Sequence, residues 1–439
     1  MNKENLKEDR ENLKENIDNF LSDTKPITEK RKAGFKSLMS FVLDGKQWSD
    51  SEIKDRDGDP VLTFNFSEDY IERYLARLFP RSPRTGVMEV GVKISDDENA
   101  KFEKEILDVY KKNNLPNILL GQGTNFLVGG AACFYYPQDP ITKKAEIISL
   151  DPTTVYLGWK GEKLVQFAFK DELGNGKERI IYYDLANIVV IEGDEMKEIY
   201  VNKYGFIPFT WIPNFPKPHK HEGRSKILSL FELDCEYNQR ASDYSKRTEE
   251  NTDPHLAIFS DEVEAKKVKR GRKRKTKLGK DDDMKYLELS EGKEILDYLN
   301  MIERIMRRKT GIIDSAEILK SAVSGFSLAL QYSDMMDLIG FMRIFWDKAF
   351  REMNSAILTY KFGAGSYESD PVYHPFIMYD SKERVDEYAV MLDKDIISRR
   401  VATDELRGVE NADEKVKEII DEKMKFSKNN QSNKKIDEK

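Results

Sequence analysis

Apolar residues at spacings of three and four mark several helices along this chain. Leu230, Leu233, Tyr237, Ala241 and Tyr244 form one stripe of a helix over Ser225 to Glu250. Ile295, Leu299, Ile302, Ile305 and Met306 form a second, over Ile295 to Lys309. Leu338, Met342, Phe345, Ala349, Met353, Ala356 and Tyr360 mark the longest helix, Ser327 to Lys361, which Gly363-Ala364-Gly365 ends. Residues 1–30 are almost all charged or polar, with Leu13, Ile17 and Phe20 at helical spacing, which predicts a solvent-facing helix before Arg31 to Leu43. Further helices are predicted at Ser67 to Leu78, at Asp96 to Asn113 and at Pro116 to Val128. Between Ala131 and Ile212 the period falls to that of a strand. Short β-rich runs such as Leu164 to Phe169, Ile180 to Tyr183 and Ile188 to Ile191 are punctuated by glycines, predicting an antiparallel meander. Leu256 to Phe259 and Lys285 to Leu289 read as a small sheet, Val372 to Met378 as a last strand, and Val385 to Met391 and Ala412 to Met424 as closing helices. The fold class is α+β, predominantly helical.

Composition narrows the function classes. A chain of 439 residues exceeds one ordinary core. Charged residues make up 34% and the net charge is −7, so a globally basic nucleic-acid binder loses weight. Cys133 and Cys235 are far apart, excluding a disulfide framework and a Cys-rich zinc site; both read as small core residues of a reducing compartment. The first residues carry no apolar stretch of a signal peptide. No run is apolar enough to span a membrane, the best, Leu338 to Phe345, being interrupted by Arg343.

Catalytic signatures are missing. There is no P-loop, no G-x-S-x-G elbow and no H-E-x-x-H, and Gly121-Gln122-Gly123 lacks the third glycine of a dinucleotide turn. His219 and His221 flank Lys220 in a Pro-bounded stretch without further ligands nearby, so they read as a solvated loop rather than a metal site. No carboxylate sits in an apolar, Gly-rich context that would raise its pKa. No catalytic residue, cofactor or metal is expected. Trp48, Phe64, Tyr70 and Tyr74 read as core aromatics rather than a base-stacking platform.

A set of motifs follows in order along the chain. Ile207-Pro208 and Ile212-Pro213-Asn214 form an IP…IPN strand, Glu222-Gly223-Arg224-Ser225 an EG.S turn, and Leu230, Leu233, Tyr237-Asn238 and Ser242-Asp243 an L..L…YN…SD helix. Upstream lie Gly45-Lys46-Gln47-Trp48, Gly58-Asp59-Pro60, Asn65 and Arg81-Ser82-Pro83; Ile148 to Pro152 follows. Downstream lie Ser324-Gly325 with Ala329-Leu330, then Ile396-Ile397-Ser398 through Leu406. This order resembles the portal proteins of tailed bacteriophages. Asp59 stands where the family has Arg, Ser82 departs from its NRP turn, and Asp395 replaces a usual Gly.

The resemblance implies a portal-like fold with wing, stem, clip and crown. It assigns 1–30 to a polar helix, 31–224 to the wing, 225–252 to a stem helix, 253–292 to the clip and 293–310 to a second stem helix. It further assigns 311–325 to a tunnel loop, 326–380 to the long wing helix and strand, 381–425 to the crown and 426–439 to a disordered tail. The stripe Leu230, Leu233, Tyr237, Ala241 and Tyr244 would face a neighbouring subunit. Asp314, Glu317 and Lys320 would lie nearest DNA. Lys266, Lys267, Lys269, Arg270, Arg272, Lys273, Arg274 and Lys275 would form a partner-facing tip on the clip. Implied partners are further copies in a ring, a dodecamer in the family, the terminase large subunit, a head-completion adaptor, the major capsid and scaffolding proteins, and double-stranded DNA passing without sequence specificity. The implied place is a capsid vertex of the virion, assembled in the host bacterial cytoplasm. From the residues alone, rival readings are a monomeric DNA-binding protein using 266–275 and a hydrolase with unrecognised carboxylates.

Overall fold

The first helix, α1, runs unbroken over Lys3–Leu43, with Pro26 inside it. A proline there removes one helical donor, and tertiary contacts hold the helix across it. The computed structural model describes residues 3–82, 86–94, 100–139, 141–173, 177–193, 195–252, 256–259, 283–286, 292–312, 332–374 and 388–394. The chain divides into two units, Met1–Asp314 with Tyr332–His374, and Ser315–Gln331 with Pro375–Lys439. Of the second unit only 388–394 are described, and the elements below belong to the first.

After α1 come α2 (Asp50–Asp55), α3 (Phe66–Leu78), β1 (Val90–Lys93), α4 (Ala100–Lys112) and α5 (Leu115–Thr124), which a π turn, Asn125–Gly129, extends. The strands β2 (Ala131–Tyr135), β3 (Ile148–Ser149), β4 (Val155–Lys160), β5 (Lys163–Leu173), β6 (Lys177–Asp184), β7 (Asn187–Glu192), β8 (Glu195–Val201) and β9 (Phe209–Pro213) follow. Next are α6 (Phe231–Thr252), β10 (Leu256–Phe259), β11 (Asp283–Tyr286), α7 (Lys293–Thr310), α8 (Ser333–Phe362) and β12 (Asp370–Tyr373).

The predicted meander is present but narrower than expected. β4 to β8 form a five-stranded antiparallel sheet in sequence order, whereas β2 and β3 join β9 in a separate three-stranded sheet. The inner faces of the two sheets share one apolar layer, in which Phe167 stacks on Phe209 at 3.9 Å and the Tyr135 and Tyr183 hydroxyls hydrogen-bond at 2.6 Å. The outer face of the five-stranded sheet is covered by α1. Ile17 and Phe20 are buried there against Tyr156, Ala168, Tyr182 and Val189. The expectation of a solvent-facing helix over 1–30 is therefore corrected for one face: few apolar positions suffice, because at spacings of four and three Leu13, Ile17 and Phe20 make one continuous stripe. Further on, the Arg31 guanidinium donates to the carbonyls of Pro152 and Val155 and pairs with Glu222 at 2.8 Å.

The largest core gathers α3, α4, α5 and α8. Trp346 is fully buried and meets Phe79, Phe126 and Phe134 edge-on. Arg343, the residue that interrupts the apolar run of α8, caps the C-terminus of α3 by donating to Arg77 O at 2.9 Å and Leu78 O at 3.3 Å. Burial pushes its pKa down, while Tyr373 and Asp347 push it up. The predicted last strand is present as β12, starting two residues earlier, and it pairs with β1, which the sequence did not predict, in a two-stranded antiparallel ribbon. Among the described residues no helix is long and apolar enough to cross a membrane.

Candidate functional site

The helices α6 and α7 form a hairpin, and a buried polar network seats it. A 3-10 turn at Ile227–Ser229 precedes α6, so the helix starts six residues later than the stripe implied. Glu232 and Asp234 in its first turn suit the positive end of the helix dipole. The stripe itself turns inward. Leu230 and Ala241 are buried, and Leu233 and Tyr237 pack half-buried against this chain's own core. Tyr244 approaches Gly292 at the start of α7.

Beside the stripe runs a second line that sequence reasoning missed. Asp234, Asn238 and Ser242 lie four residues apart, hence on one face, and all three are buried. Ser242 and Asn238 accept backbone N–H groups of an extended strap, residues 59–65, that pairs with no strand among the described residues, and Asp234 accepts one from the first turn of α3. Ser242 Oγ takes Leu62 N at 2.9 Å, Asn238 Oδ1 takes Phe64 N at 2.7 Å, and Asp234 Oδ2 takes Ser67 N at 3.0 Å. Ser67 Oγ donates to the same carboxylate oxygen at 2.7 Å. A buried N–H without a partner costs roughly 1–3 kcal/mol, so Asn238 and Ser242 replace the sheet that the strap lacks, and Asp234 satisfies a free N-terminal donor of α3. The signal was present as a polar line at helical spacing, adjacent to the apolar one.

This network joins residues that the sequence places in separate motifs. Asn238 Nδ2 donates to Gln47 Oε1, Gln47 Nε2 to Asn65 Oδ1 at 2.7 Å, and Asn65 Nδ2 to Val42 O at 2.6 Å. Trp48 Nε1 donates to Leu62 O at 3.2 Å, and Arg56 pairs with Asp243 at 3.0 Å. The G.QW turn, the following Asn and the YN…SD helix thus meet at one place. The other motif pair also closes on itself. Asn214 N donates to Gly130 O at 2.9 Å, and Arg224 N to Asn214 O at 2.7 Å. A Cβ on Gly223 would lie 1.9 Å from Gly130 O, so the EG.S turn requires glycine there.

Electrostatics single out Asp234. Burial pushes its pKa up to about 6, against the lowering effect of the hydrogen bonds from Ser67 and Phe66. Its Oδ1 has no hydrogen-bond partner among the described residues. The expectation that no carboxylate would be raised is corrected here: the cause is desolvation under the strap, which local composition does not reveal. Asp347 is also raised, by burial first, against the Tyr373 hydroxyl that donates to it.

Other expectations shift. Phe64 is 41% exposed and meets Tyr237 edge-on, so it is a surface aromatic rather than a core one; its N–H is bound to Asn238, which leaves the ring turned outward. Trp48 is half-buried under Arg56. Cys133 is buried and Cys235 half-buried. Of the His219 and His221 stretch, His219 and Lys220 are exposed, as the solvated-loop reading expected, whereas His221 is packed: its ring stacks on Trp159 at 4.1 Å, and its carbonyl accepts Trp211 Nε1 at 2.9 Å.

At its far end α7 is capped by Gly311, whose N–H donates to Arg307 O. Tyr74 OH donates to Thr310 O, fastening this end to α3. Between the hairpin helices, β10 and β11 pair antiparallel. The basic run Lys266, Lys267, Lys269, Arg270, Arg272, Lys273, Arg274 and Lys275 lies outside the described residues, as do Asp314, Glu317 and Lys320.

The family model for phage portal proteins of the SPP1 Gp6-like type matches residues 88–428. The chain belongs to the phage portal protein family. The match takes in the β meander, the α6–α7 hairpin, the β10–β11 ribbon and α8. A comparison with curated proteins finds no match. Portal proteins are structural components of the phage capsid rather than enzymes. The matched span starts beyond α3, so Gln47, Trp48 and Asn65 precede it, yet Gln47 bonds Asn238 within it and Asn65 joins through Gln47.

Proposed function

We propose that this portal protein closes into a ring at one capsid vertex, forming the channel through which DNA is packaged and ejected. The observation that carries the reading is the order of elements within the family match. A helix, a strand ribbon, a second helix and a long helix follow one another as α6, β10–β11, α7 and α8. In this reading α6 and α7 are the stem, the ribbon with the basic run 266–275 is the clip, and the earlier helices and meander are the wing. Residues 311–325 are the tunnel loop, with Asp314, Glu317 and Lys320 nearest DNA, and 381–425 are the crown.

The chemistry supports a passage rather than a reading head. DNA affinity is dominated by phosphate contacts, and a chain of net charge −7 limits those that would stop DNA from sliding. The eight positive charges of the basic run are concentrated between the two hairpin helices, at the end where terminase and then a head-completion adaptor would dock. Head-to-tail contacts that close make a ring, a dodecamer by the family pattern. Capsid and scaffolding proteins would surround the wing. The hairpin is braced by its own N-terminal strap, so a subunit can fold before it assembles.

Sedimentation of the purified chain at micromolar concentration tests this reading. A large, discrete oligomer is expected. A folded monomer at all concentrations would refute it and return weight to a monomeric DNA-binding protein using 266–275.

A further inference from the structure

The hairpin presents two different uncovered faces, and they are complementary. On α7, Leu299, Ile302, Met306 and Thr310 are buried, so Met301, Arg304 and Arg308 form the opposite ridge. Met301 is 41% exposed, and Leu296 and Tyr298 flank the ridge, also exposed. Arg304 and Arg308 form no ion pair among the described residues. The second face belongs to the strap and α2, where Ile53, Val61 and Phe64 are exposed. It is edged by Asp50, Asp55 and Asp57, likewise unpaired among the described residues and exposed. Charge runs opposite where the two faces would meet: acidic with one lysine, Lys54, on α2 and the strap; basic at Arg304 and Arg308 in the second half of the ridge, with Glu294 and Asp297 towards its start.

The two faces lie on different sides of α6. The strap meets the Asp234, Asn238 and Ser242 line, while α7 meets α6 near Tyr244 and Glu236, to which Tyr298 OH donates at 3.4 Å. A closed head-to-tail ring requires two dissimilar, mutually complementary patches on every copy. Both occur here, on the flanks of one hairpin.

Resting on the ring reading above, we propose that the strap flank of one copy packs on the Met301–Arg304–Arg308 ridge of the next. Met301 meets the Ile53, Val61 and Phe64 surface, and the arginines face Asp50, Asp55 and Asp57. The N-terminal segment ahead of the matched family span therefore has a role in assembly as well as in bracing its own hairpin. DNA is the other polyanion that the arginines could face. The apolar residues within the ridge and the acidic counterpart on the same chain favour the neighbouring copy. Contacts of this kind set register and association rate more than affinity.

Charge reversal with rescue tests the contact in the full-length chain. Arg304→Glu with Arg308→Glu, and separately Asp50→Arg with Asp55→Arg, should each lower the assembled fraction at least tenfold at low salt, with unchanged circular dichroism. All four changes together should restore rings. A second measurement avoids charge altogether. In a Cys235→Ser background, Ile53→Cys together with Met301→Cys should give a ladder of covalent oligomers with a short bismaleimide, and either cysteine alone should give none. Rings that persist in the arginine variant and show no ladder overturn the contact while leaving the ring reading intact. If such rings also lose DNA, the ridge faces the channel instead. Wild-type protein that forms no rings overturns the ring reading, and this contact with it.

Discussion

Replacing Asp234 with Asn isolates a buried carboxylate at the start of α6. The side chain is fully buried, one carboxylate oxygen takes both Ser67 donors, and the other has no partner among the described residues. Burial raises its pKa from 3.8 to about 6 in the folded chain. A raised folded-state pKa means that the folded chain binds this proton more tightly than the unfolded one. The group's contribution is therefore complete below the unfolded value and is lost as pH rises through the folded value. The full span is worth about 3 kcal/mol, and the part falling between pH 5 and pH 8 about 1.4 kcal/mol. Asn keeps an acceptor for Ser67 and cannot titrate. In denaturant unfolding followed by tryptophan fluorescence, the wild type should lose about 1.4 kcal/mol more than Asp234→Asn on going from pH 5 to pH 8. Trp48, bonded to the strap at Leu62, reports locally on this region. Parallel pH profiles for the two proteins would refute the argument that the carboxylate is desolvated under the strap.

Three further outcomes follow from the geometry. Asn238→Ala strips the partner from Phe64 N and from Gln47, and should cost roughly 2–4 kcal/mol in denaturant unfolding. Gly223→Ala places a methyl against backbone at Gly130 and Asn214, and should lower the thermal midpoint by an amount equivalent to about 2–4 kcal/mol, whereas Gly340→Ala, with open space around it, should not lower it. Replacing Arg270, Arg272, Lys273 and Arg274 with Ser should weaken terminase or adaptor binding at low salt and leave high-salt binding little changed; equal binding at both salts would remove the run from the docking surface.

Much of this architecture was legible in the sequence because its periodicities are local. The stripe of α7 and the alternation of β6 and β7 are set by burial on one face, and burial leaves its mark every three to four residues or every two. What was not legible depends on distant partners. The helix α1 looked solvent-facing because its stripe is thin, and only the sheet it covers explains why Ile17 and Phe20 are enough. β1 and β12 are four-residue strands far apart in the chain, and neither announces the other. At the site, the sequence supplied the motifs but not their meeting. Gln47, Asn65 and Asn238 read as three signatures and fold into one network. Asp234 read as one acid among many, because a raised pKa comes from what closes over a carboxylate, not from its neighbours in sequence.

The central claim is a ring with a channel, and electron microscopy of the purified full-length chain tests it most directly. The account predicts annular particles of uniform subunit number with a central hole wide enough for duplex DNA. A field of compact particles without a hole, from protein whose circular dichroism shows the mixed helix and sheet described here, would contradict it.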